Sequence, residues 1–199
     1  MKRLSAITIG LAVVAFTLFG CGTPLPPGQT GWVTILDGTS LDGWDRIGDA
    51  NWRPVEGGLL ADKGGKTPSY LVSKNSYKDF YLKAEFWVDP DTNSGIFIRC
   101  ADPKKIGADN CYEVNIFDKS TNPGYGTGGI PRVAKALVDM KAGGRWNTYE
   151  IYANGPQLTA VLNGVVTIHT QDSKLATGPI ALQYGVGVVK WRKVEIKPL

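Results

Sequence analysis

Three segments between Tyr81 and Asp118 decide the fold: YLKAEFWVD (Tyr81–Asp89), SGIFIRC (Ser94–Cys100) and YEVNIFD (Tyr112–Asp118). Strand side chains alternate between the two faces of a sheet. On the first segment Leu82, Ala84, Phe86 and Val88 share a face, and Lys83, Glu85 and Trp87 share the other. On the second, Ile96 and Ile98 oppose Phe97 and Arg99. On the third, Tyr112, Val114 and Ile116 oppose Glu113, Asn115 and Phe117. Each segment therefore reads as a strand with one apolar face and one face mixing charge with aromatic rings. If the three strands are neighbours, Glu85, Arg99, Glu113 and Asn115 converge on one surface beside Trp87 and Phe97. That surface is the candidate site.

Outward from this stretch the pattern stays β. Trp32–Leu36, Trp52–Val55, Leu59–Ala61 and Tyr70–Ser73 read as short strands before it. Trp146–Ala153, Leu158–Leu162, Val165–Thr170, Gly178–Tyr184 and Val188–Ile196 read as strands after it. Asn163-Gly164 between two alternating runs predicts a hairpin, because both residues tolerate the positive φ of a type I′ turn. Lys119 to Gly129 (KSTNPGYGTGG) is a long loop rich in Gly, Asn and Pro. Loops of that length are usually functional or mobile. Val133–Met140 is the only stretch that suggests a short helix. Many short strands separated by Gly-rich turns imply an all-β sandwich or jelly roll of two antiparallel sheets.

The 199 residues suit one domain with a short leading segment. Lys2 and Arg3 followed by the apolar run Ile7–Gly20 read as a signal peptide, too short for a comfortable membrane span. Leu18-Phe19-Gly20-Cys21 is similar to a bacterial lipobox, which predicts cleavage before Cys21 and lipidation of its sulfur. Residues 1–20 are thus expected to be a lipoprotein signal peptide, and residues 21–30 a lipidated Cys with a Pro/Gly-rich tether. Residues 31–199 form the domain, exported and anchored in the cell envelope through lipid on Cys21. Without Lys2 and Arg3 the net charge falls from +4 to +2. No Lys/Arg cluster stands out, so nucleic acid is not an expected partner. Of the three cysteines, Cys100 and Cys111 remain after lipidation. They either pair or stay as two buried thiols, and an oxidising compartment favours the disulfide. Two Cys and one His argue against a zinc site.

The ordered phrases ILDGTSLDGW (Ile35–Trp44), YKDFYLKAEF (Tyr77–Phe86), NSGIFIR (Asn93–Arg99), YEVNIFD, Thr127-Gly128, WNTYEI (Trp146–Ile151), LNG (Leu162–Gly164) and GPIALQ (Gly178–Gln183) resemble the 3-keto-disaccharide hydrolase domain family. The resemblance runs from about Gly31 to Leu199. It implies a concanavalin-like jelly roll, a carbohydrate substrate, and cleavage of glycosidic bonds in sugars already oxidised at C3. A ketone at C3 acidifies the hydrogen on C2. Such a bond can then break by proton abstraction and elimination, followed by hydration. That route needs a base near C2 and hydrogen bonds or positive charge at the ketone oxygen. The two-carboxylate route of ordinary glycosidases is the alternative chemistry.

Placed on this scheme, Glu85 and Glu113 are the acid/base candidates, and Arg99 would hold the enolate or orient a glutamate. Asn93, Asn115, Asp118 and Gln183 are candidates to bind sugar hydroxyls or a metal, and Trp44, Trp87 and Trp146 to stack on a sugar ring. A divalent metal is compatible with enolate chemistry, but nothing in the sequence requires one. A Glu–Arg–Glu group on a sheet also occurs as a plain cross-strand ion pair. His169, the sole histidine, reads as a surface-strand residue. A non-catalytic carbohydrate-binding module of the same fold is the competing function. A cleft shared by Glu85, Arg99 and Glu113 is what would distinguish the enzyme.

Overall fold

The computed structural model describes residues 31–199. The predicted signal peptide, Cys21 and the tether lie outside these residues. The described chain forms thirteen strands: β1 (Val33–Leu36), β2 (Trp44–Ile47), β3 (Arg53–Val55), β4 (Gly58–Ala61), β5 (Ser69–Tyr77), β6 (Phe80–Val88), β7 (Asn93–Ile98), β8 (Tyr112–Phe117), β9 (Arg145–Asn154), β10 (Gln157–Leu162), β11 (Val165–Gln171), β12 (Gly178–Tyr184) and β13 (Val189–Pro198). An eight-stranded sheet runs β11-β10-β9-β6-β13-β4-β3, with β1 also pairing β13. A five-stranded sheet runs β2-β5-β12-β7-β8. The named strand pairs are all antiparallel, giving the expected all-β sandwich of two sheets.

The alternation in β6 is complete. Phe80, Leu82, Ala84, Phe86 and Val88 are buried and the residues between them only partly so. Phe86 stacks on Tyr149 at 5.3 Å and packs against Trp191 at 5.6 Å. Opposite them, Ile96, Ile98, Val114, Ile116 and Leu182 of the five-stranded sheet complete the same core. Each such side chain contributes roughly 1.5–3 kcal/mol on burial.

The face assignments of the three central segments hold except at Arg99, and the second and third segments are neighbours, but the first is not beside them. β7 pairs β8, while β6 pairs β9 and β13 in the opposite sheet. The switch occurs at Asp89–Thr92. There the Asp89 carboxylate accepts from the Asp91 amide at 2.8 Å and the Thr92 hydroxyl at 3.0 Å. The physical reason is the shared core. Two strands whose apolar faces meet between the sheets must turn their polar faces to opposite outsides of the sandwich. Hence Glu85 and Glu113 lie on opposite surfaces.

Two further expectations change. β2 carries Asp45 and Arg46, which obscure it as a strand; it is an edge strand, where charge is tolerated. Val133–Met140 is not a helix. Arg132 has φ 67 and the backbone amides of Val133 and Ala134 donate to Ile130 O, so a turn closes instead. The Asn163-Gly164 hairpin forms with φ 51 and 81, as its type I′ reading requires. A bulge in the next strand leaves both Thr167 and Ile168 buried. His169 then faces outward beside Thr159, 3.1 Å from its hydroxyl, as a surface-strand residue.

Candidate functional site

The outer face of the five-stranded sheet can be read row by row across its register. One row runs Asp45–Val72–Ala181–Phe97–Glu113. The next includes Ile47, Tyr70 and Gln183, with Gly95 paired to Asn115 on the last two strands. Asn93 pairs with Phe117 beyond them. Glu113, Asn93, Asn115, Phe117 and Gln183 line a cleft of about 540 Å³ at this edge of the sheet. Its rim is the segment after β8, with Lys119, Ser120, Thr121, Asn122 and Tyr125.

Glu113 is only 9% exposed. Among the described residues its carboxylate takes part in no ion pair. Burial pushes its pKa up to about 7, because the charged form loses hydration without a compensating partner. Burial also pushes the Tyr70 phenol up, and the Glu113 charge adds to that shift. Gln183 is 6% exposed, and its side-chain oxygen is buried without a hydrogen-bond partner among the described residues. A buried amide oxygen left without a donor is costly in a folded protein, and a ligand with donors relieves that cost.

The rim is tied down through β8. The side chain of Asn115 donates to Tyr125 O. The loop pairs along the outer edge of β8, with Asn115 N to Gly129 O and Gly128 N to Asn115 O, both at 3.0 Å. The Thr127 hydroxyl donates to the Asp118 carboxylate at 2.6 Å and accepts from Phe117 N at 2.9 Å. Asp118 also accepts from the amides of Ala142 and Gly143 at 2.9 and 2.8 Å. Asp118 therefore does not line the cleft. It anchors the loop that does. The same contacts cover a sheet edge that would otherwise be open.

The other sequence candidates lie elsewhere. Glu85 sits on the outside of the eight-stranded sheet, where Arg192 Nε donates to it at 2.6 Å. Trp87 is on that same outer face with the Lys190 ammonium 5.3 Å from its ring, and Trp146 lies under the Arg192 guanidinium at 4.5 Å. Trp44 points into the core, 5% exposed, and donates to Ile35 O at 2.7 Å. Arg99 follows β7 with φ 52, which breaks the alternation and turns its side chain toward the end of the sandwich. There it is 1% exposed and donates to Lys78 O at 2.8 Å, Gly155 O at 2.7 Å, Leu175 O at 3.3 Å and the Asp79 carboxylate at 3.1 Å. Glu85, Arg99 and Glu113 thus share no cleft. What the fold does gather is Glu113 with Asn93, Asn115 and Gln183. Lys119 and Tyr125 join them, unmarked by any strand pattern, although the length and composition of the 119–129 loop flag its part of the wall.

Cys100 and Cys111 form a disulfide that closes the Ala101–Asn110 loop. Ile106 of this loop packs against the outer-face cluster made by Tyr70, Val72, Phe97, Ala181 and the disulfide. As for a metal, Glu113 is the single carboxylate lining the cleft. Among the described residues no three His, Cys, Asp or Glu side chains group together. One carboxylate among neutral amides does not fit the multi-carboxylate cages that hold calcium, and no step below runs through a cation.

Solved structures with the same fold include two candidate glycosyl hydrolases from Parabacteroides distasonis ATCC 8503. One is 17% identical with a TM-score of 0.71, covering 85% of this chain and 94% of that one. The second is 24% identical with a TM-score of 0.70, covering 84% and 99%. The carbohydrate-binding module CBM66 from Bacillus subtilis aligns at 16% identity and a TM-score of 0.59, covering 84% and 96%. Comparison with curated proteins gives no significant match. The profile of the 3-keto-alpha-glucoside-1,2-lyase-like domain matches residues 31–197, nearly the whole described chain, and the protein belongs to this 3-keto-disaccharide hydrolase family.

Proposed function

We propose that the cleft around Glu113 binds a 3-keto-glycoside and cleaves its glycosidic bond by elimination followed by hydration. The observation that carries this reading is the buried, unpaired Glu113 carboxylate, pushed up to about 7 among side-chain amides. A base with a pKa near neutrality combines a useful ionised fraction with strong proton affinity. Glu113 takes the proton from C2, and the C2–H electron pair moves into the enolate of the C3 ketone. The enolate then re-forms the ketone as the C1–O bond breaks, leaving a C1–C2 double bond. The departing oxygen takes a proton from the protonated Glu113 or from water, and water adds across the double bond. Asn93 and Asn115 line the same cleft and supply the hydrogen bonds that the enolate oxygen needs, while Lys119 at the rim holds its ammonium on Asp91. Gln183 offers its orphan oxygen to a sugar hydroxyl.

The test is release of the aglycone from a 3-keto-glucoside by the wild type, Glu113→Gln and Glu85→Gln. Glu113→Gln should lose roughly 10²–10⁴-fold in turnover, the usual contribution of a general base. Glu85→Gln should stay within a few-fold of wild type. Equal loss in both variants, or none in Glu113→Gln, would sink the assignment.

The second reading, carbohydrate binding without catalysis, is favoured by the four side-chain amides lining the cleft and by the likeness to a carbohydrate-binding module. It predicts no turnover across keto-sugars together with measurable binding of unoxidised glycans. In either case we place the protein at the cell envelope, held by lipid on Cys21. The support is the lipobox-like Leu18-Phe19-Gly20-Cys21 and the tether after it. Metabolic labelling with a tagged fatty acid should mark the wild type and not Cys21→Ala; equal labelling of both removes the anchor.

A further inference from the structure

The chain holds six tryptophans. Trp44, Trp52 and Trp191 are buried in the core. The other three stand on one surface, the outer face of the eight-stranded sheet, across the sandwich from Glu113. The register places them at its two ends. At one end Lys190, Trp87 and Trp146 are cross-strand neighbours on β13, β6 and β9. At the other, Lys197, Tyr81 and Tyr152 are neighbours on the same three strands, and the Trp32 ring packs on Tyr81 at 5.0 Å.

Between the two ends the charges are mixed. Glu85 is bonded to Arg192, and Glu195 to Lys193 at 2.8 Å. Lys83 lies between Glu195 and Glu150 in its row, and the Tyr81 hydroxyl donates to Glu150. Lys83, Lys190, Arg192, Lys193 and Lys197 against Glu85, Glu150 and Glu195 leave the face at +2. That equals the net charge of the whole chain from Cys21 onward. Among the described residues Lys190 and Lys197 have no ion-pair partner. Each end of the face thus joins an unpaired lysine to aromatic rings. Tryptophan and tyrosine suit the boundary between lipid and water because one part of each ring system is apolar and another is polar. A lysine lays its carbon stem along such a layer and keeps its ammonium at the charged surface.

The chain also enters the fold here. Gly31 lies against Lys197, so that a Cβ on it would stand 3.2 Å from Lys197 Cε, and Trp32 follows directly. Cys21 is ten residues earlier, a distance of at most about 36 Å even for extended chain.

We propose that the outer face of the eight-stranded sheet docks on an anionic phospholipid surface. Trp32, Trp87 and Trp146 sit at the level of the headgroups, and Lys190 and Lys197 meet the lipid phosphates. The inference rests on the lipid-anchored reading above, which brings this face to a membrane. The lipid and the sheet then hold the protein at two places, and the Glu113 cleft opens away from the bilayer.

The mature lipidated protein, mixed with vesicles containing brominated lipid, tests the docking. Flotation with the vesicles reads the anchor. Tryptophan quenching reads the face, because the three remaining tryptophans are in the core. Vesicles of phosphatidylethanolamine with phosphatidylglycerol should quench strongly, and neutral phosphatidylcholine vesicles weakly. Raised salt should reduce the difference. Lys190→Gln/Lys197→Gln should shift the docked fraction toward the undocked roughly tenfold or more, since each lysine at an anionic surface contributes about fivefold. These positions lie across the sandwich from Glu113, so turnover of a keto-glucoside should not change in that variant. A protein that floats but is not quenched, or is quenched equally on neutral and anionic vesicles, would overturn the docking alone. A protein that floats with neither composition would overturn the anchor and the docking together.

Discussion

Glu113 lies over Gly95 of the neighbouring strand, so that a Cβ at position 95 would stand 3.2 Å from both Cγ and Oε1 of the glutamate. The glycine is the space that the carboxylate occupies.

Gly95→Ala therefore tests the placement of Glu113. Gly95 is not among the positive-φ glycines, so alanine fits its backbone, and the added methyl meets the Glu113 side chain first and the Val114 carbonyl oxygen at 3.3 Å. A shift of a few tenths of an ångström is expected. Turnover of a 3-keto-glucoside should fall roughly tenfold, since catalytic geometry is sensitive at this scale. The thermal midpoint should move little. Unchanged kinetics would remove Glu113 from the reacting geometry.

The raised pKa of Glu113 makes a pH prediction whose sign is fixed. Its value rises from 4.5 to about 7 on folding. Between those limits the folded protein binds more protons than the unfolded one, so stability falls as pH rises. The contribution is fully present below about pH 4.5 and is lost through pH 7. It amounts to about 3 kcal/mol at most, taking 1.36 kcal/mol per unit. Urea denaturation of the wild type and Glu113→Gln across this range should show that term in the wild type alone. Activity should move the opposite way, rising through about pH 7 as the base ionises.

Arg99 should behave as a structural residue. Its guanidinium joins the β5–β6 turn, the β9–β10 turn and the segment before β12. Arg99→Met strands these acceptors without donors and should cost about 3–5 kcal/mol in urea denaturation, the range for breaking a buried pair. The kcat of the folded fraction should remain close to wild type. A large loss of kcat with unchanged stability would return Arg99 to the catalytic group.

Asp118→Ala removes the anchor shared by Thr127, Ala142 and Gly143. The rim carrying Asn122 and Tyr125 should loosen. KM should then rise several-fold with little change in kcat, at a cost of roughly 1–3 kcal/mol for the unpaired amides. Faster amide hydrogen exchange across residues 119–129 is the direct readout. Unchanged exchange would show that the loop is held by other contacts.

The sandwich was legible because alternation records burial locally. The apolar sets of β6, β7 and β8, the Asn163-Gly164 turn and the Cys100–Cys111 pair all carry their meaning within a few residues of sequence. Which residues form the cleft is a different kind of fact. Alternation says that Glu85 and Glu113 each oppose an apolar face, but not whether those apolar faces lie side by side or across a core from each other. The sheet change at Asp89–Thr92 decides for the second arrangement and sends the two carboxylates to opposite surfaces. Arg99 left the set through a single positive φ, which no period-two pattern anticipates. Sequence by itself determined the strands, their inward faces and the family. Only tertiary pairing decided that Glu113 meets Gln183, Asn93 and the 119–129 loop, because those contacts join residues far apart in the chain through strand order and register.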